Sequence, residues 1–100
     1  MSYDPGALNA ALSAAVGDDA ALISDLRIAF IESAARQIDL LGRARCDANW
    51  ELAAWRLKGL AASFGMTGLM AMADEAASAA PGDPRVLRRL KAALAGLDQN

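Results

Sequence analysis

The sequence contains no histidine. That removes the commonest general base near neutral pH, the commonest metal ligand and any phosphohistidine intermediate. Cysteine is nearly absent as well: Cys46 stands alone, so no internal disulfide is expected and a reducing compartment suits the chain. No carboxylates cluster at metal-ligand spacing, and no glycine-rich loop follows a strand pattern to cradle phosphate. Nothing reads as a self-contained active site, so neither an enzyme nor a bound cofactor or metal is expected. No basic run exists and the net charge is -2, which argues against a nucleic-acid partner. No apolar stretch reaches the roughly eighteen residues of a membrane span, and MSYDPG lacks the basic-then-apolar order of a leader. The expectation is one cytoplasmic domain over residues 1–100. A start at Met1 and a last helix closing soon after Leu97 suggest a stand-alone protein.

What is present favours helices. Hydrophobic residues make up 55% of the chain and are mostly alanine and leucine, with few β-branched residues and 5% aromatics, a poor composition for sheets. The spacing predicts a short first helix after Asp4 and Pro5, with Leu8, Ala11, Leu12 and Ala15 on one face and Gly17 as its stop. Asp18 and Asp19 offer a cap for a longer second helix, in which Ile23, Leu26, Phe30, Ala34, Ile38 and Leu41 keep the period as far as Gly42. Arg43 and Arg45 suit a helix C-terminus, and Asp47 or Asn49 caps the next helix. Gly65 and Thr67–Gly68 interrupt the pattern before Leu69, Met72, Ala73 and Ala76 restart it to Ala80. Pro81, Gly82, Asp83 and Pro84 form a turn with Asp83 as cap, and Leu87, Leu90, Leu94 and Leu97 stripe the last helix. Short connections between long amphipathic helices imply an all-α, antiparallel up-and-down four-helix bundle, with the first helix capping one end.

The stretch Asn49–Gly65, NWELAAWRLKGLAASFG, carries the functional signal. At about 100° per residue, Trp50, Ala53, Leu57, Leu60, Ala61 and Phe64 fall in one apolar sector. Trp55, Lys58, Gly59 and Ala62 line the opposite stripe, where a solvated helix normally carries bulky charged residues. An indole, a cation, a mid-helix glycine that costs about 1 kcal/mol relative to alanine, and an alanine have the composition of a docking surface.

Two segments resemble the histidine-containing phosphotransfer (HPt) domain family. VGDDAALISDLRIAFIES is similar to the opening of such domains, and AAWRLKGLAASFG to their signature, AHxLKGxAxxxG. Leu57, Lys58, Gly59, Ala61 and Gly65 stand in register, as do Leu69 and Ala73 after the break. The resemblance covers nearly the whole chain and implies a four-helix bundle that works in two-component phosphorelay signalling, with a response-regulator receiver domain or a histidine kinase as partner. It departs from the family at the phospho-acceptor, where Trp55 replaces histidine. Indole has only a donor N–H, its nitrogen lone pair belonging to the ring, so Trp55 is no nucleophile, and Gly59 and Ala62 offer no substitute. The implied role is a non-catalytic binder through Leu52, Trp55, Arg56, Lys58, Gly59 and Ala62. Lys58, which in the family helps neutralise the phosphoryl group, is equally readable as a solvated lysine, whereas Trp55, which could be a surface aromatic tucked against its neighbours, lies in a contiguous apolar patch with Leu52, Gly59 and Ala62 that favours docking. Two further readings stay open: an active phosphotransfer protein whose histidine is replaced in this chain, and a dimer through the Trp55 face. Trp50, Phe64, Met66, Met70 and Met72 read as core or near-core filling, with a methionine ligand site a remote alternative, Arg85, Arg88 and Arg89 as a wet face, and Cys46 as an inert residue at a helix end.

Overall fold

The computed structural model describes residues 5–98, with no side-chain account of Pro5 and Asp98; the expected helix entry at Asp4 lies outside this range. Five helices and no strand occur among the described residues: α1 (Pro5–Val16), α2 (Ala20–Arg43), α3 (Asp47–Ser63), α4 (Thr67–Ala77) and α5 (Pro84–Asp98). None is long and apolar enough to cross a membrane.

Local chemistry explains most boundaries. Gly17 ends α1 at φ 79°, a left-handed conformation that favours glycine. Asp19 then caps α2, its Oδ1 accepting from the Leu22 N–H at 3.0 Å. α3 closes in a Schellman motif: the Met66 N–H donates to the Ala61 carbonyl at 2.9 Å and the Gly65 N–H to the Ala62 carbonyl at 3.1 Å, with Gly65 at φ 65°. Before α5, Asp83 Oδ1 accepts from the Arg85 N–H at 2.9 Å and Pro84 takes the first helical position, as the turn predicts.

Several sequence expectations need correcting. Asp47 and Asn49 do not cap α3. Cys46 is its N-cap without a side-chain bond, its carbonyl already accepting from the Trp50 N–H, so Asp47 falls in the first turn, where a carboxylate favours the helix dipole. The α3–α4 break is confined to the residues around Gly65, because the Schellman motif ends one helix so tightly that Thr67 and Gly68 already belong to α4. α4 stops at Ala77, short of Ala80. The Ala76 carbonyl, which would accept from Ala80 in a longer helix, accepts instead from the Ala79 N–H and from Trp50 Nε1 at 2.7 Å. α2 runs one residue past Gly42, and Ala15 is exposed.

The core is apolar throughout: among the described residues no polar or charged residue is buried. Leu8 and Leu12 of α1 join Phe30, Ala34, Ile38 and Leu41 of α2, Trp50, Ala53, Leu57 and Ala61 of α3, Leu69, Met72, Ala73 and Ala76 of α4, and Leu90 and Leu97 of α5. Leu87 and Leu94 are only half-buried; the inward line of α5 runs through Val86, Leu90, Ala93 and Leu97, and Leu87 lies at the seam with α2, near Gly42. Phe30 meets Phe64 edge to face, 4.7 Å between ring centres, an arrangement that suits the ring quadrupoles.

Packing places the ends of the helices. α3 packs on α2 and α4, and α5 packs on α2 and α4, while α1 touches only α2 and α5. Trp50, at the start of α3, is tied by its indole to the end of α4, and Arg27 of α2 donates to Asn9 of α1 at 3.4 Å and to the Leu97 carbonyl at the end of α5. α3 is therefore held between α2 and α4 with only its outer stripe free.

Candidate functional site

The outer stripe of α3 follows the helical period. Trp55 is 68% exposed, the most exposed large hydrophobic residue described, and Gly59 and Ala62 are exposed beside it. The neighbouring Ala54 and Leu57 are fully buried, so the α3 backbone is fixed while the indole stands clear of it. The opposite placement of Trp50 and Trp55 follows from their separation of five residues, about 500°, or 140° around the helix.

The six residues marked out in the sequence do not form one surface. Trp55, Lys58, Gly59 and Ala62 line a groove of about 490 Å³ between α3 and α4, together with Glu51, Asp74, Ala77 and Ser78. Leu52 and Arg56 turn the other way, into a cleft against α2. Trp55 stands between these surfaces and shares a smaller hollow with Ala48, Glu51 and Leu52. The sequence reading missed Glu51, although its place one turn before Trp55 could have found it; Asp74 and Ser78 left no such signal, because their approach depends on how α4 packs beside α3.

Lys58 already has a partner. Its Nζ lies 2.8 Å from Asp74 Oδ1, with both side chains substantially exposed. Such a pair is worth about 0–1 kcal/mol, so an incoming anion of higher charge can draw the ammonium away at small cost. The groove thus carries carboxylates at Glu51 and Asp74 against one lysine, with an indole at its edge and a nearly flat floor at Gly59 and Ala62. Among the described residues no three potential metal ligands converge.

Gly59 has no internal reason to be glycine. A Cβ built there meets nothing within 4 Å, and the position does not require positive φ. Gly59→Ala is therefore expected to stabilise the chain by about 0.5–1 kcal/mol, through helix propensity and reduced unfolded-state freedom. Urea titration checks this. A loss of stability would mean that the backbone at Gly59 is constrained from within, and the case for an outside approach to it would fail.

The chain matches no family model, no curated protein and no solved structure. The class that the fold defines is an all-helical protein with an exposed indole on a rigid helix.

Proposed function

We propose that the chain is a degenerate HPt-like domain, an antiparallel up-and-down bundle of α2–α5 with α1 capping one end, that binds a receiver domain or histidine kinase and carries no phosphoryl group. The observation that carries this reading is an indole, 68% exposed, at the position where the signature has its histidine. The register of Leu57, Lys58, Gly59, Ala61 and Gly65 supports it, as does the division into buried Leu57 and Ala61 against exposed Gly59. Further support comes from the way α2 and α4 each lie between α3 and α5. On this reading the domain is not an enzyme. Lys58 meets the acidic pocket of a receiver domain, Gly59 and Ala62 let its backbone come close, Trp55 supplies affinity, and Leu52 and Arg56 border the contact.

The test is binding of the intact chain and of Trp55→Ala to receiver domains from the same organism. Equal affinity of both proteins for every receiver would remove the reading.

A second reading, an active shuttle whose histidine is replaced, is favoured by the same intact register. Phosphotransfer requires in-line placement around the acceptor, which Trp55→His would restore if only that residue has changed. Acid-labile labelling of Trp55→His, but not of the unmodified chain, by a phosphorylated receiver domain is its expected result. Absence of labelling would show decay beyond one position. A dimer through Trp55 is distinguished by sedimentation at two concentrations, where a strictly monomeric protein discards it.

A further inference from the structure

The flank of α3 turned away from the Gly59 groove builds a second surface with α2. A cleft of about 220 Å³ opens there, floored by Ala44 and Ala53, walled by Leu40 and Leu52, and rimmed by Arg43 and Arg56. Its walls are unusually wet for leucine, 46% exposed at Leu40 and 49% at Leu52. The rim reverses the charge of the chain: net charge is -2, yet no carboxylate lines this cleft. Arg43 pairs with Asp39 at 3.1 Å, but both side chains are mostly exposed and water screens the contact. Arg56 is exposed, and its guanidinium makes no ion pair or hydrogen bond among the described residues. The groove on the other flank of α3 carries Glu51 and Asp74. Trp55 therefore marks a boundary between an acidic groove and a basic, apolar cleft.

We propose that the α2–α3 cleft docks an acidic amphipathic helix of a partner protein, with one large apolar side chain seated between Leu40 and Leu52 and carboxylates meeting Arg56 and Arg43. Volume decides against a small-molecule site, since such sites occupy roughly 300–1,000 Å³ and this cleft is smaller. Shape decides against a lipid surface, which takes up a projecting apolar ridge, whereas a concave site takes a projecting side chain. Charge selects the partner: exposed leucines alone would accept any amphipathic helix, and an unpaired guanidinium beside them favours carboxylates and repels lysines. The surface does not use Gly59, Ala62 or Lys58, and it shares only Leu52 and Arg56 with the border of the receiver contact proposed above.

The probes are two synthetic helical peptides of about 18 residues with the same leucine stripe, one flanked by glutamates and one by lysines, titrated against the full chain by anisotropy. The glutamate peptide is expected to bind at least about tenfold more tightly than the lysine peptide, with the difference shrinking as salt is raised. Arg56→Glu should reduce or reverse that preference, and Leu40→Ser should weaken the glutamate peptide by about tenfold; unchanged circular dichroism accompanies both, with an unchanged melting temperature for exposed Arg56 and a drop of a few degrees for half-exposed Leu40. Equal affinity for the two peptides, no binding of either, or an Arg56→Glu protein that keeps the original preference would overturn the proposal. So would binding to vesicles of anionic phospholipid together with failure to bind the glutamate peptide.

Discussion

Trp50→Ala is expected to destabilise the protein by about 3–5 kcal/mol, a large part of the 5–15 kcal/mol typical of a domain. Trp50 is 1% exposed and is the largest fully buried side chain. Its removal leaves a cavity between α3 and α4, and it also deletes the 2.7 Å bond from Nε1 to the Ala76 carbonyl. That bond clamps the first turn of α3 to the last turn of α4, the two helices that wall the Gly59 groove. Trp50→Phe separates the contributions: it keeps much of the apolar volume, loses the N–H, and should lie well below the alanine variant in cost. Urea or thermal unfolding gives both numbers. A loss under about 1 kcal/mol for Trp50→Ala would show that the indole is not holding the two helices together.

Trp55→Ala is expected to do the reverse. A side chain 68% exposed buries little apolar surface, so stability should change by no more than about 0.5 kcal/mol. If the proposed function holds, affinity for a receiver domain should fall by about 2 kcal/mol or more, roughly thirtyfold, the effect of truncating an aromatic anchor in a well-packed contact. Most of that loss should appear in the dissociation rate, because a relay contact becomes long-lived by slow release and not by faster encounter. On the proposed function, two tryptophans five residues apart carry separable roles, one in folding and one in recognition. Calorimetric titration and unfolding of the same two variants separate them: a large stability loss at Trp55 with unchanged affinity would invert the assignment.

Much of this was legible from period alone. Phe30, Ala34, Ile38 and Leu41, then Trp50, Ala53, Leu57 and Ala61, recur at helical spacing, and every one of them is buried. The turn at Pro81–Pro84 was legible because proline and aspartate act locally, through a fixed φ and a side-chain cap. Termini that depend on distant groups were not. α4 ends at Ala77, where the Ala76 carbonyl accepts from the Ala79 N–H and from an α3 indole, and no pattern within α4 announces the indole contact. The expected stripe of α5 missed Val86 and Ala93, because a heptad reading favours leucines while packing against α2 and α4 selects the inward line. The stripe of Trp55, Gly59 and Ala62 could be read directly from their spacing. The separation of Leu52 and Arg56 from it could not, since neighbours on one helix are assigned to different clefts only once α2 and α4 are in place.

The most direct measurement is the emission of Trp55 itself during titration with receiver domains, isolated as the difference between the unmodified chain and Trp55→Phe. Burial of the indole in the contact predicts a blue shift and loss of acrylamide quenching as the receiver saturates. A Trp55 signal that stays solvent-quenched at saturation, or a full panel of receivers that never engages the domain, would contradict the assignment of this face to receiver recognition.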